Sequence, residues 1–316
     1  MKIFICQPFS FSEIGKKNNQ EDCIYPESIQ ITKKSRFFIL CDGMGGHEHG
    51  EVASHTVCGA LGNFLHTHWP QDDIMTQKLF EQALEYAYDE LDKKDEKANS
   101  AKKMGTTMTC LCLHRKGYLV AHIGDSRIYH IRPSLANIEE RRLGILYQSS
   151  DHSLMNELLR AGELTEEEAR HFPQKNVITR AMQPHQERRS KADIYSFNNI
   201  QGGDYFFLCS DGVLEQLTNE RLCEILADKK LNDKDKLQAI KQVCDGNTKD
   251  NYTCFFIPIE RVELEEDDKF EQQDVIQALE VDGAIKKESF RTKMKCHFPI
   301  DNLIVKLKAL VKHIRH

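Results

Sequence analysis

The sequence predicts an α+β fold, on two observations. Several short apolar runs rich in β-branched and aromatic residues are typical of strands, and the longer stretches between them place apolar residues at helical spacing. A turn at residues 115–117 joins two of the apolar runs directly. The 316 residues are enough for one large domain or two ordinary ones, and a hydrophobic content of 40% can fill a core.

The N-terminal half begins with strands and continues with helices. The apolar runs "KIFICQPF" and "RFFILCD" are the first strands, and helical stretches follow at about 51–68 and 72–98. The second stretch carries apolar residues at helical spacing: Leu79, Ala83, Leu84 and Ala87. Further strands are expected in "TTMTCLCLH", "GYLVAHIGD" and "SRIYHIR".

The C-terminal half mixes short helices with buried strands. Residues 153–182 are expected to form two short helices, of which Gly162 ends the first. Thr165 with Glu168 forms a capping box for the second. A buried strand "DYFFLCSDG", a helical stretch at 218–245 and a last strand "NYTCFFIPI" follow.

Composition changes after Pro258, which predicts three parts: a catalytic domain at 1–260, an acidic linker at 261–284 and a basic tail at 285–316. The end of the tail, "DNLIVKLKALVKHIRH", has the pattern of a basic amphipathic helix. Such a helix binds an anionic membrane surface or an acidic partner, or else packs its apolar face on the domain. These alternatives stay open.

Charge and cysteine usage exclude several classes of protein. The net charge of −6 and the pI near 6.2 give no sign of nucleic-acid binding. The eleven cysteines are scattered and include no CxxC pair, which indicates a reducing compartment and no zinc site. The N-terminal apolar stretch is too short for a signal peptide, and no run is long enough to span a membrane. We therefore expect a cytoplasmic protein, and a monomer.

Four apolar runs carry an aspartate at one end: Asp42, Asp125, Asp211 and Asp250. If these ends meet, each close pair of carboxylates repels by roughly 4 kcal/mol, so cations or raised pKa values are needed. Oxygen ligands without cysteine or histidine favour Mg²⁺ or Mn²⁺. Two such ions about 3.5–4 Å apart would activate a water and neutralise a phosphoryl oxygen. Taken singly, each Asp-Gly pair is more often a simple turn.

The strings around these aspartates carry a resemblance to a known family. In order they are "GKKNNQED" (15–22), "DGMGGHEHGEVAS" (42–54), "MGTTMT" (104–109), "GDSRIY" (124–129), "SDHS" (150–153), "CSDGV" (209–213) and "DN" (250–251). The ordered set resembles the metal-dependent protein phosphatases, the type 2C serine/threonine family, and most of all its bacterial members. It covers roughly residues 5–259.

The resemblance implies a four-layer sandwich of two antiparallel β-sheets flanked by helices. The metal site lies in a cleft at one end, beside a flap at about 154–182. Asp42 would bridge two ions, Mn²⁺ or Mg²⁺, and Gly43 would contribute its carbonyl oxygen. The other metal residues implied are Asp211 and Asp250 at the first ion, Glu21 and Asp22 at the second ion and its water shell, and Asp125 at a third, weaker ion.

Two positions depart from the family pattern. The family has an arginine that clamps the phosphate where this chain has Lys17, which keeps the charge but loses the forked geometry. Lys16 is an alternative clamp, and the less favoured alternative is that both lysines are ordinary solvated charges. Met44 stands where eukaryotic members have a histidine proposed as general acid. His47 is nearby but is more typical of a structural turn residue.

Other residues near the motifs are expected to support the site. Thr106 and Thr107 could bond to ligand carboxylates through their hydroxyls. Arg127 is predicted to be an internal ion-pair partner rather than a substrate contact. Asp151 and His152 are predicted to brace the site rather than to perform chemistry.

The function predicted by resemblance is the hydrolysis of phosphoserine and phosphothreonine in proteins. A metal-activated water would attack phosphorus in line, without a phosphoenzyme intermediate, and the enzyme would reverse a cognate serine/threonine kinase in bacterial signalling. Two alternatives remain: a catalytically weak relative that binds phosphoproteins as a regulator, and a hydrolase of small phosphomonoesters.

Overall fold

The computed structural model describes residues 1–45, 49–95, 104–136, 143–170, 172–174 and 177–264. Within these residues twelve strands and seven α-helices alternate in short groups. The strands are β1 Lys2–Ile5, β2 Phe9–Glu13, β3 Asp22–Tyr25, β4 Phe37–Met44, β5 Gly105–Thr106, β6 Met108–His114, β7 Gly117–Ile123, β8 Arg127–Ile131, β9 Ile145–Gln148, β10 Asp193–Phe197, β11 Tyr205–Cys209 and β12 Tyr252–Glu263. The helices are α1 His49–His68, α2 Gln77–Asp95, α3 Leu154–Ala161, α4 Glu166–Arg170, α5 Asp211–Leu214, α6 Asn219–Ala227 and α7 Asp233–Cys244.

The strands form two antiparallel sheets that lie face to face. The first has the order β1-β12-β11-β8-β9, with β2 also paired to β12. The second has the order β10-β7-β6-β4-β3, with β5 also paired to β4. Every residue of β6, β7 and β11 is buried, as expected for strands covered on both faces. The predicted α+β sandwich is therefore confirmed.

Three hydrophobic clusters hold the layers together. Between the sheets, aromatic and aliphatic residues such as Phe38, Phe206 and Phe255 pack in one cluster. On the outer face of the second sheet, α1 and α2 cover a cluster that includes Phe80 and Leu61. A third cluster lies between the first sheet and helices α5, α6 and α7. The resulting order is helix, sheet, sheet, helix, which is the predicted four-layer arrangement.

Several element boundaries differ from the sequence prediction. The helix expected from residue 72 begins at Gln77, because Thr76 Oγ1 accepts a hydrogen bond from the Leu79 amide and so caps it. The stretch 218–245 is two helices, and Asn232 caps the second through the Asp235 amide. The run "KIFICQPF" supplies two strands, β1 and the start of β2, which both pair with β12.

The two short helices at 153–182 are confirmed. Ser153 accepts a hydrogen bond from the Asn156 amide at the start of α3, and Gly162 ends it with φ near +74°. Thr165 and Glu168 exchange the hydrogen bonds of a capping box at the start of α4.

The C-terminal boundary stays a prediction. Strand β12 extends to Glu263, a few residues past the boundary placed near residue 260. Residues 265–316, which hold nearly all of the proposed linker and the whole basic tail, lie outside the described residues. Among the helices that the structure describes, none has the length and apolar character needed to cross a bilayer.

Candidate active site

A pair of aspartates from neighbouring strands forms the centre of the site. Asp22, the first residue of β3, lies directly opposite Asp42 of β4 in the antiparallel register. Opposed residues on neighbouring strands point to the same face of the sheet, with Cβ atoms about 5 Å apart. The two carboxyl groups therefore crowd one another at the end of the second sheet.

The first sheet brings two further aspartates to the same place. Asp211 begins α5, with only Ser210 between it and β11, and Asp250 stands two residues before β12. The Asp42 and Asp211 carboxyl groups lie within hydrogen-bonding reach of each other, so the ends of the two sheets meet here. The close approach of α5 to β12 requires Gly212, since a Cβ there would lie 2.0 Å from the Asn251 carbonyl oxygen.

The start of α1 packs closely against the end of β4. A Cβ on Gly43 would lie 2.2 Å from the Gly50 carbonyl oxygen, and the Gly43 amide donates to the Glu21 carbonyl. A Cβ on Gly50 would in turn meet the Glu21 side chain at 2.9 Å. The glycines around Asp42 thus allow helix, strand and the Glu21 loop to converge on one point.

Asp125 reaches the site from the connection between β7 and β8. It follows Gly124, whose φ is near +104° and whose Cβ, if present, would lie 2.6 Å from Thr107. The Asp125 side chain is buried, and its Oδ1 atom has no hydrogen-bond partner among the described residues. Burial, with the charges of Asp211 and Asp151, raises its pKa to about 7.

Like Asp125, three other carboxyl groups of the cluster have raised pKa values. Burial raises the pKa of Asp22 to about 7 despite hydrogen bonds from Thr253 and Ser210. Burial and the charge of Asp22 hold the pKa of Asp42 well above its usual range, and burial with Asp250 raises that of Asp211. The described residues leave one oxygen of Asp22, Oδ1, without a partner. Buried carboxylate oxygens that repel one another and lack donors suit hard divalent cations.

Lys17 lies at the edge of this cluster. Its ammonium group is 2.7 Å from Asp250 Oδ1, and 44% of its side chain is exposed. Partial burial alone would lower the lysine pKa, but the hydrogen bond and charge of Asp250 raise it. The structure therefore brings Lys17 to the carboxylates rather than leaving it as a solvated surface charge.

The contacts also show what Thr106, Thr107 and Met44 do beside Asp42. The hydroxyls of Thr106 and Thr107 were expected to bond to ligand carboxylates, but in the described contacts they bond to the backbone of Asp42. Thr107 Oγ1 accepts from the Asp42 amide, and Thr106 Oγ1 donates to the Asp42 carbonyl. The Thr107 amide also donates to the Asp42 carbonyl at 2.8 Å. Met44 pairs with Gly105 at the end of β4, and its apolar side chain cannot donate a proton.

Arg127 forms the predicted internal ion pair. Its Nε and Nη2 atoms donate to the two carboxylate oxygens of Asp151, both at 2.7 Å. His47 lies outside the described residues, so its role as a turn residue stays a prediction.

Sequence reasoning missed two supporting residues. Asn251 is buried, accepts from the Glu21 amide and donates to the carbonyls of Ile14 and Asn19, so it holds the Glu21 loop against Asp250. Ser210 donates to Asp22 Oδ2 at 2.8 Å and so joins the two sheets. The signal was present, since Asn251 and Ser210 stand beside aspartates in the "DN" and "CSDGV" strings.

A family model of protein phosphatase 2C matches residues 12–243. The chain belongs to the protein phosphatase 2C family. It is 30% identical over 261 residues to a putative protein phosphatase 2C-type of Streptococcus pyogenes, covering 80% of this chain and 98% of that one. It is also 33% identical over 223 residues to protein phosphatase PhpP of Streptococcus pneumoniae, covering 68% and 82%. The bacterial relationship predicted from the motifs is confirmed.

Solved structures agree with the protein phosphatase 2C assignment. The serine/threonine phosphatase PstP/Ppp of Mycobacterium tuberculosis superposes with a TM-score of 0.67 at 26% identity, covering 82% of this chain and all of that one. Together with the sequence relatives, this confirms a metal-dependent serine/threonine phosphatase.

Proposed function

We propose that this protein phosphatase 2C member removes phosphate from phosphoserine and phosphothreonine in proteins at a centre of two Mn²⁺ or Mg²⁺ ions. The observation that carries the proposal is the meeting of Asp22, Asp42 and Asp211 from two sheets, with raised pKa values and a buried oxygen of Asp22 that no described residue bonds. A catalytic domain of PstP has been solved with two manganese ions, which supports the choice of metal.

The ions, when bound, would lower the pKa of a water and neutralise charge on the phosphoryl group. Asp42 lies between the carboxylates of the two sheets, which suits it to bridge both ions, and Gly43 would add its carbonyl oxygen. Asp211 and Asp250 would hold the first ion. On the other side, Glu21 and Asp22 would hold the second ion and its water shell.

Two residues at the edge of the cluster would complete the site. Asp125, near Asp211, would serve a third and weaker ion. Lys17 would contact the phosphoryl oxygens, because its ammonium already lies beside Asp250 and can turn from that carboxylate to an incoming anion. As a single point charge it would grip the phosphate less firmly than a forked guanidinium.

The partners follow from this activity. We expect the substrates to be phosphoproteins made by a cognate serine/threonine kinase. We also expect the enzyme to act as a monomer and to be cytoplasmic. The basic tail at 285–316 would add contact with an anionic membrane surface or an acidic partner.

The test is hydrolysis of p-nitrophenyl phosphate and of a phosphothreonine peptide with Mn²⁺, Mg²⁺, Zn²⁺ and excess EDTA. Asp42→Asn and Asp211→Asn should each lower turnover by orders of magnitude, because each removes a charged ligand. Asp125→Asn should have a milder effect. Asp72→Asn, at an exposed site far along the chain from these motifs, is the matched control and should behave as the parent protein.

Three results would contradict the proposal: full activity in EDTA, zinc as the sole effective ion, or near-parental turnover of the Asp42 variant. Hydrolysis of the aryl phosphate without the phosphopeptide would favour a small-molecule phosphomonoesterase. Phosphopeptide binding without hydrolysis of either substrate would favour a regulatory relative.

A further inference from the structure

A second group of potential ligands lies beside the active site but does not fit a metal ion. Ligand atoms of His122, His152 and Asp193 all lie within 4.8 Å of one another. However, His152 Nδ1 accepts a hydrogen bond from the Gly124 amide at 3.1 Å, so the proton of the neutral ring is on Nε2. A protonated nitrogen cannot bind a metal, and the Arg180 guanidinium already pairs with Asp193 at 3.0 Å.

The same contacts form a chain that ends at the active site. The protonated Nε2 of His152 faces Asp193 Oδ2 at 3.4 Å, which fixes the ring tautomer. The opposite nitrogen, Nδ1, then has its lone pair available for the Gly124 amide. Arg180 Nη1 lies 3.3 Å from Nε2, but both groups are donors, so the guanidinium bonds to the Asp193 carboxylate instead.

His152 also holds Gly124 through the main chain. The His152 amide donates to the Gly124 carbonyl at 2.9 Å, so both peptide groups that flank the Gly124 Cα are bonded to this one residue. The His152 carbonyl accepts from the Thr179 amide at 2.8 Å, where the flap returns to the domain. One buried residue thus contacts the base of the flap and the residue before Asp125.

The ring of His152 has little freedom to leave this position. It stacks on His122 with centroids 4.6 Å apart and planes 13° from parallel. His122 in turn is held by its Nε2 atom, which donates to the Ser150 carbonyl at 2.9 Å. Burial lowers the pKa of His122 to about 4, so the neighbouring ring stays neutral near pH 7 and adds no competing charge.

Asp125 needs such support, because the two like charges near it act more strongly than the single cation Arg127. Asp211 and Asp151 both repel its carboxylate, and Gly124 before it has a left-handed backbone with no side chain to restrict it. Without an external bond on the Gly124 peptide, that repulsion would turn the Asp125 carboxylate away from the cluster.

We propose that His152 is a positioning residue: Asp193 fixes its tautomer, and its Nδ1 atom then fixes the Ile123–Gly124 peptide, just before Asp125, so that the Asp125 carboxylate stays directed at the metal cluster. The inference rests on the proposed function for the role of Asp125, but the hydrogen-bond chain itself can be tested without any turnover.

Two amide substitutions separate positioning from simple packing. In His152→Asn the side-chain oxygen can occupy the place of Nδ1 and accept from Gly124. In His152→Gln the side-chain amide reaches only the place of Nε2. Both variants remove the ring, so loss of packing on His122 should affect them alike.

The first readout is hydrogen exchange of the Gly124 amide in EDTA, by NMR or mass spectrometry of peptides covering 119–128. We expect exchange about fivefold faster or more in His152→Gln and close to the parent in His152→Asn, because only the former loses the amide acceptor. The second readout is Mn²⁺ binding followed by electron paramagnetic resonance. The weakest site should lose about tenfold in affinity in His152→Gln and be retained in His152→Asn.

Asp193→Ala keeps the ring but removes the group that sets its tautomer, and its partly exposed site makes it the safer variant for folding. It should resemble His152→Gln in both readouts. Equal exchange rates in the Asn and Gln variants, or a parental rate in Asp193→Ala, would overturn the proposal. If the parent protein neither binds Mn²⁺ nor hydrolyses phosphate, the proposed function fails, while the exchange result still decides the hydrogen-bond chain.

Discussion

Asp125→Asn should make the metal-free protein more stable at pH 8, although it removes a proposed ligand. The Asp125 side chain is only 9% exposed, and its Oδ1 atom has no partner among the described residues. Burial, Asp211 and Asp151 raise its pKa to about 7. In the absence of cations, an ionised carboxylate at this position therefore opposes folding.

The magnitude follows from linkage between proton binding and folding. An aspartate in the unfolded chain has a pKa of about 4, so the folded protein binds this proton more tightly. The cost of ionising Asp125 is absent below about pH 4, grows as the pH rises, and is complete above about pH 7. At pH 8 it reaches about 4 kcal/mol, and it increases by about 2.5 kcal/mol between pH 5 and pH 8.

The assay is urea unfolding in EDTA at pH 5 and pH 8, for the parent, Asp125→Asn and the exposed-site control Asp72→Asn. An asparagine cannot ionise, so the free energy of unfolding of the variant relative to the parent should rise by about 2–3 kcal/mol between the two pH values. Any fixed cost of burying the amide cancels in this comparison. Saturating Mn²⁺ should stabilise the parent more than the variant, because binding only to the folded state adds to its stability.

The reasoning would be refuted by a stability difference between variant and parent that is the same at both pH values. Such a result would mean that Asp125 ionises in the folded chain as readily as in water, and that the cluster does not repel it. A pH-dependent difference in the Asp72→Asn control would point to a general effect of net charge instead.

Two further predictions concern the edge of the site and the C-terminus. Lys17→Arg should lower the KM for phosphosubstrates and leave kcat similar, because the forked guanidinium group can hold Asp250 and the phosphate together. Lys16→Arg is the control. Unchanged KM and kcat in both variants would show that another residue clamps the phosphate. Deleting residues 285–316 should leave activity and stability unchanged and abolish binding to anionic vesicles or an acidic partner. A lower unfolding temperature without loss of this binding would instead show that the tail packs on the domain.

The sequence predicted those parts of the site that depend on a single strand and the residues next to it. The apolar runs before Asp42, Asp125 and Asp211 are strands as predicted, and each aspartate lies within two residues of the end of its strand. The missed strands β3, β9 and β10 are all at sheet edges, and most of their residues are only half-buried. Such strands need no continuous apolar run, so the pattern that reveals a central strand is missing from them.

The sequence marks Asn251 and Ser210 as neighbours of aspartates, but their contacts could not be predicted, because each contact joins parts of the chain that are distant in sequence. Ser210 bonds to Asp22 across 188 positions, and Asn251 bonds to the Glu21 amide across 230. Whether a hydroxyl or amide faces a carboxylate or a backbone group depends on strand register, which only the folded sheets define. That is why the hydroxyls of Thr106 and Thr107 were assigned to the wrong atoms of Asp42.

The division of the carboxylates between the sheets has an energetic consequence. Asp22 and Asp42 belong to the second sheet, Asp211 and Asp250 flank strands of the first, and Asp125 lies on the connection between the two sheets. Repulsion in the metal-free cluster therefore acts across the interface between the layers and opposes the packing of Phe38 on Phe255. Cations at the cluster would reverse the sign of that force, so metal binding and closure of the sandwich should be coupled. The cost of assembling like charges at the ends of two sheets would thus give the aspartate cluster its affinity for cations.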